Sequence, residues 1–204
     1  MMKRRDLTAR SRPVAPRIAL LLAWIALSSG ACATTTTERL GLPPLEAVPQ
    51  VDLSRYIGTW YEIASYPKWF QKGCTGTTAT YTPGDDGELR VVNRCRIGSL
   101  QGEEKSAKGR ARVVDARTNA KLEVSFFRPF WGDYWVIDLD EDYEYAVVGT
   151  PDRDSLWILS RAPTMAESVY RGILERLQAR GVPLDRLRRT LQPATAPTPD
   201  TAGD

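Results

Sequence analysis

Gly58-Thr59-Trp60-Tyr61-Glu62-Ile63-Ala64 is the run from which the rest of this chain is read. Its aromatic and β-branched residues favour a strand, and Trp60 and Glu62 fall on one face of it because side chains alternate along extended backbone. Seven more runs of alternating character follow between turn signals, at 74–81, 88–96, 106–114, 121–126, 134–139, 143–148 and 156–161. Short strands at this spacing indicate a sandwich or a barrel. If the strands run up and down in order, the first begins at the end of the molecule where the eighth finishes. Trp60 and Arg161 are then neighbours.

Between the second and third runs lies Gly84-Asp85-Asp86-Gly87, a tight-turn sequence. Folding about it brings Cys74 opposite Cys95, so these two form the expected disulfide, placed where the second strand starts and the third ends. In the third to fifth strands the charges keep one parity (Arg90, Arg94, Arg96; Lys108, Arg110, Arg112; Lys121, Glu123). The other parity, with Leu89, Val91, Gly109, Ala111, Val113, Leu122, Val124 and Phe126, is expected to face inward. In the sixth strand an outward Asp138 predicts inward Trp135, Ile137 and Leu139. Gly76, Thr78 and Asn93 are expected to add small or polar positions, and this mixture suits a cavity better than a solid core.

After the eighth strand, Thr164-Met165-Ala166-Glu167 has the pattern of a capping box, predicting a helix to Arg180 that Gly181 stops. Val169, Ile173, Leu174 and Leu177 would be its apolar face, packed on the outside of the strands. A short ninth strand is expected within 187–191.

The two ends of the chain are of another kind. Lys3, Arg4, Arg5, Arg10, Arg12 and Arg17 face one acid, Asp6, and an apolar run at 18–27 follows that is short for a bilayer span. The formal charge of +3 belongs to this leader; without it 22 basic residues face 24 acidic ones, and nothing points to nucleic acid. Ser29-Gly30-Ala31-Cys32 resembles the lipobox of bacterial lipoproteins, in which the cysteine is acylated, although Ser29 stands where that pattern has an aliphatic residue. Cys32 is also the cysteine left over once Cys74 and Cys95 pair. An ordinary secretory signal cleaved nearby, and twin-arginine export through Arg4-Arg5, stay open. The expected organisation is a lipoprotein signal peptide over 1–31, a flexible Thr/Pro-rich tether over 32–50, one domain over 51–192 and a disordered tail over 193–204.

Three motifs in order then carry a family resemblance: Gly58-Thr59-Trp60-Tyr61-Glu62, Asp140-Glu141-Asp142-Tyr143 with Tyr145-Ala146-Val147-Val148-Gly149, and Trp157-Ile158-Leu159-Ser160-Arg161. With Phe126-Phe127-Arg128-Pro129-Phe130, they resemble the lipocalin family, in particular the bacterial outer-membrane lipocalins similar to apolipoprotein D. The resemblance implies an all-β fold, an eight-stranded up-and-down antiparallel barrel with a C-terminal α-helix packed outside. It also implies a lipid-anchored protein of the outer membrane that stores or transports fatty acids, lysophospholipids or similar molecules. Gly58, Trp60, Asp142, Tyr143 and Arg161 become structural residues of the closed end, where Arg161 lies over the Trp60 indole.

The opposite end collects the loops, and these carry Trp69, Phe70, Phe127, Phe130 and Trp131. They serve either as a hydrophobic cap over the mouth or as an entrance that touches lipid. The expected ligand-binding set is Glu62, Trp69, Phe70, Thr78, Val91, Leu122, Val124, Phe126, Phe130, Trp135 and Ile137, with no cofactor and no metal. The chain has no histidine, which removes Ser-His and Cys-His nucleophiles, His-ligated metals and imidazole acid-base chemistry. A binding protein is therefore expected and not an enzyme. A carrier of sterol or tetrapyrrole, and behind it a lipid-modifying enzyme, are the alternatives, and a homodimer is left open.

Overall fold

Eight antiparallel strands pair in sequence order and the eighth returns to the first, so no sheet edge is left along most of the ring. The computed structural model describes residues 41–85 and 87–195; the expected signal peptide over 1–31, Cys32, the expected tether as far as residue 40 and residues 196–204 lie outside them. Within 41–50, also expected as flexible tether, Leu45 is buried and the Val48 N–H donates to the Val136 carbonyl at 2.8 Å. The strands are β1 (Gly58–Ser65), β2 (Cys74–Pro83), β3 (Leu89–Ile97), β4 (Glu104–Val113), β5 (Lys121–Phe127), β6 (Phe130–Leu139), β7 (Tyr145–Gly149) and β8 (Leu156–Ser160). Gly58 pairs with Tyr81, and Tyr145 with Ser160, so the start of β1 and the end of β8 share one end of the barrel as expected. A short helix, α1 (Leu53–Tyr56), crosses that end, capped by the Asp52 carboxylate, which accepts from the Ser54 N–H at 2.9 Å.

The residues divide into two apolar sets. One fills the barrel and includes Tyr56, Trp60, Tyr81, Leu89, Val91, Leu122, Tyr134, Val136 and Leu159; the other lies between barrel and helix and includes Ile63, Tyr66, Ile137, Val147, Ile158, Tyr170, Ile173 and Leu177. Helix α2 (Glu167–Ala179) therefore packs outside, as expected, through Tyr170, Ile173 and Leu177, while Val169 is 40% exposed. Burying each of those side chains contributes about 1.5–3 kcal/mol. The capping box does not form. Ala166 makes no side-chain cap, and Glu167 instead takes an ion pair from Arg189 at 2.6 Å. Gly181 ends the helix with φ +67°, and the Val182 N–H donates to the Leu177 carbonyl at 3.0 Å.

Three inward assignments, Trp135, Ile137 and Thr78, are corrected by two β-bulges. In β6, Asp138 pairs with outward Val147 but Val136 pairs with inward Val148, so Ile137 is an extra residue and parity flips across it. Leu139 does point in, whereas Ile137 joins the layer under α2 and Trp135 lies on the outer face with Lys121 Nζ 4.2 Å above its ring. In β2 the register jumps between Thr75 and Thr78, so Thr78 pairs with outward Arg94 and faces out. Asn93, paired with Ala79, faces in. Trp131 also leaves the expected mouth: it belongs to β6 and is sandwiched on the outer face beneath Arg112 at 4.1 Å.

The ninth strand, β9 (Arg188–Arg189), has a function of its own in the architecture. Toward the open end β1 and β2 separate, and the C-terminal segment enters the seam. β9 pairs with Ala64 and Ser65, the Thr190 N–H donates to the Ile63 carbonyl, and the Gly76 N–H donates to the Leu191 carbonyl at 2.7 Å.

Candidate functional site

The closed end is held by Arg161. Its guanidinium carbon lies 3.7 Å from the Trp60 ring centroid, and its N–H groups donate to the carbonyls of Arg55 (2.5 Å), Thr59 (3.2 Å) and Tyr143 (3.4 Å). Trp60 Nε1 donates to the Tyr56 carbonyl at 2.8 Å, which completes the plug. Gly58 is required here, since its φ is +102° and a Cβ would sit 3.2 Å from the arginine. Tyr143 is nearly buried with φ +63° and its hydroxyl accepts from the Asp52 N–H, tying α1 to the β6–β7 turn. Asp142 contributes only its backbone: its N–H and that of Glu144 donate to the Asp140 carboxylate, and its own side chain is exposed. Asp140 is thus the carboxylate that shapes this turn.

Above the plug the interior is layered. Tyr56, Tyr81, Tyr134, Leu89 and Leu122 form a buried floor. The next inward positions toward the mouth on β2, β4, β5 and β6 are Ala79, Gly109, Val124 and Gly132; on β3 the next is Val91, which stays buried, and Asn93 follows it. Ala79, Asn93, Gly109, Val124 and Gly132 retain accessible surface, while Val91 and the floor do not. Large residues below and small, partly accessible ones above describe a calyx open at the mouth. Phe126 lies against Gly109, where a Cβ would meet its ring at 2.8 Å, so a glycine on β4 gives this aromatic its place. A pocket of about 380 Å³ also lies along this wall, but its lining mixes inward Val91 and Gly109 with outward Arg90 and Lys108, so it is a feature of the wall and not a measure of the calyx.

Glu62 faces inward and is buried, as expected, yet its oxygens are already occupied. Oε1 accepts from Ser65 Oγ at 2.9 Å and Thr190 Oγ1 at 2.5 Å, and Oε2 accepts from Gln71 Nε2 at 2.8 Å. The carboxylate therefore joins β1, the C-terminal segment and the mouth loop. Gln71 in turn receives the Trp157 Nε1–H at 3.5 Å, and Gln192 donates to the carbonyls of Glu62 and Thr77 at 2.8 Å each. Thr190, Gln192 and Gln71 were not foreseen, since nothing in their local sequence marks a partner so distant.

At the rim, Trp69 is 87% exposed, Phe127 79%, Phe130 75% and Phe70 48%. Trp69 and Phe70 stand on a 3₁₀ turn (Trp69–Gln71), and Phe127 pairs with Phe130 across the β5–β6 hairpin. They do not fold over the opening as a cap. Exposed Lys72 and Arg128 adjoin them. The disulfide expected between Cys74 and Cys95 is present near this end, with Cα atoms 5.4 Å apart.

Tyr56, Tyr81 and Tyr134 also went unremarked in the sequence. Tyr81 donates to the Tyr134 hydroxyl at 2.8 Å, and the Tyr134 and Tyr56 hydroxyls are 2.8 Å apart. Burial pushes the Tyr81 hydroxyl up to about 12 and holds those of Tyr56 and Tyr134 well above the ordinary phenol value, with each neighbouring phenol adding to the effect at Tyr134. The signal available was parity, because Tyr134 stands opposite Leu122.

A closed barrel, an arginine-plugged base and an open calyx with a helix on its flank define a protein that binds hydrophobic small molecules. The chain belongs to the lipocalin family: a lipocalin-like domain matches over residues 51–192. It is 40% identical over 165 residues to the outer membrane lipoprotein Blc of Escherichia coli, covering 81% of this chain and 90% of the relative. It is 29% identical over 187 residues to mouse apolipoprotein D, covering 84% and 95%. Insecticyanin of the tobacco hornworm superposes with a TM-score of 0.59 at 20% identity, over 75% of this chain and 87% of that one, a likeness of fold alone.

Proposed function

We propose that this chain is a lipid-anchored protein of the outer membrane that binds fatty acids, lysophospholipids or similar amphiphiles in its calyx and stores or transports them. The observation that carries this reading is the inner layering: a sealed aromatic floor, small accessible positions above it and exposed aromatics at the rim. An apolar chain inserted there gains about 25 cal/mol per Å² of surface removed from water. Val91, Leu122, Val124 and Phe126 line its path, while Trp69, Phe70, Phe127 and Phe130 insert into the acyl boundary with Lys72 and Arg128 at headgroup level. Acylation of Cys32 and the tether hold the mouth within reach of the bilayer. The similarity to outer membrane lipoproteins supports this location.

Native mass spectrometry of lipids retained by the purified domain tests the ligand class. Retained amphiphiles of fatty-acid or lysophospholipid mass are expected; a sterol or tetrapyrrole mass would replace the proposed class. Cys32→Ala is expected to move the protein from the membrane fraction to the soluble one.

A further inference from the structure

The three floor tyrosines bring three O–H donors but share only two hydrogen bonds. If Tyr56 donates to Tyr134, the hydrogen without an acceptor is on Tyr134; if Tyr134 donates, it is on Tyr56. Either way one donor is left over in a place where all three phenols are 7% exposed or less. An unmatched buried donor costs free energy, so the site is short of one acceptor oxygen. Directly above are Ala79, Val124 and Gly132, and a Cβ placed on Gly132 would meet nothing within 4 Å, which leaves room for such an oxygen. A second unmatched atom borders that layer: Asn93 Oδ1 is buried and has no partner.

We propose that the tyrosine floor is a recognition site for an uncharged oxygen, a hydroxyl or carbonyl, carried at the deep end of the hydrophobic ligand. This rests on the calyx reading above and adds to it the orientation and a chemical requirement on the ligand. The oxygen accepts from the spare phenol, and a hydroxyl has in addition a hydrogen to offer. It is uncharged because, among the described residues, no cation is buried beside the floor. Arg161 lies beneath Trp60 with its donors already on three carbonyls. Burial that keeps the phenols protonated opposes a carboxylate or phosphate in the same way. A charged head therefore stays at the mouth beside Lys72 and Arg128, and the chain enters tail first. Tyr81 is seven residues below Cys74 on β2, which puts the floor about 18 Å down an inclined strand.

The test compares palmitate with ω-hydroxypalmitate, which differ only at the deep end, by titration calorimetry on the whole domain. The variants are Tyr56→Phe and the triple change Tyr56→Phe, Tyr81→Phe, Tyr134→Phe. Tyr56→Phe leaves the Tyr134 hydrogen spare, so the affinity ratio of hydroxylated to plain ligand is expected to stay at the wild-type value. The triple change removes every donor while keeping ring shape, so the ratio is expected to fall about fivefold with palmitate binding retained. A ratio unchanged in the triple variant would show that a resident water already supplies the acceptor and overturns the proposal. If palmitate binds no variant and not the wild type, the calyx reading fails first and takes this one with it. A second measurement needs no variant. The labelled carbonyl of an ω-terminal methyl ester should absorb at lower infrared frequency when bound than in alkane solvent, and an unshifted band counts against the floor.

Discussion

Replacing Arg161 with alanine removes the cation from the Trp60 face and three donors from the carbonyls of Arg55, Thr59 and Tyr143. The ring contact contributes about 0.5–2 kcal/mol. The hydrogen bonds contribute less than their number suggests, because two of them lie where water can replace the arginine; about 1–2 kcal/mol for the set is reasonable. The expected loss is thus ~2–4 kcal/mol, which for a domain of this length lowers Tm by roughly 10 °C. Urea unfolding followed by tryptophan fluorescence and by circular dichroism measures it, with coincident transitions required before a free energy is read. The plug is at the base and the proposed ligand path is above it, so affinity for palmitate in the folded fraction should stay within about twofold. A loss near zero would mean that the base is sealed without the arginine. A large fall in affinity with little loss of stability would mean that the calyx reaches deeper than Trp60.

Trp135 lies outside the barrel, so Trp135→Ala should leave palmitate affinity unchanged by calorimetry; a tenfold loss would return it to the interior. Glu62→Ala strands three donors at the seam and is expected to cost about 2–3 kcal/mol while hydrogen exchange quickens at 188–192; unchanged exchange there would detach the carboxylate from the C-terminal segment. Opening the disulfide with Cys74→Ser and Cys95→Ser should cost roughly 3 kcal/mol for a separation of 21 residues, read from the urea midpoint. Alkaline pH provides the last expectation. Tyr81 titrates near 12 folded and near 10 unfolded, so the unfolded chain releases its proton first. Stability is full below pH 10 and falls through pH 12 by about 2–3 kcal/mol, a fall that Tyr81→Phe should lessen.

The strand order, the closed base and the disulfide were legible because each follows from alternation and from a turn that fixes register. What parity could not supply was its own interruption. Outward Asp138 was read correctly, but Ile137 is an extra residue, and counting back across it put Trp135 on the wrong face. Thr78 was misplaced in the same way by the irregularity between Thr75 and Thr78. The bulge in β6 has no side-chain signature, because isoleucine suits an ordinary strand position equally, whereas Gly76 at φ +57° marks the irregularity in β2. The partners of Glu62 were hidden for another reason: Thr190 is 128 residues away, and the C-terminal segment enters a seam that exists only once the barrel closes.

That seam separates an end closed by direct strand pairing from an end completed by chain from the C-terminus. At the base, β1 pairs directly with β2, α1 crosses beneath, and Arg161 binds three separate segments. Toward the mouth the same two strands part, and the wall between them is completed by chain from the C-terminus and by the carboxylate of Glu62. Gln71 links that carboxylate to the loop that carries Trp69 and Phe70. On the proposed reading, a displacement of those aromatics at a lipid surface would act on the seam before it acted on any strand pair of the base. The proposed selection of one oxygen at the floor requires that such a displacement leave the floor's geometry intact, and the separate closure of the base by Arg161 and the β1–β2 pairing meets that requirement.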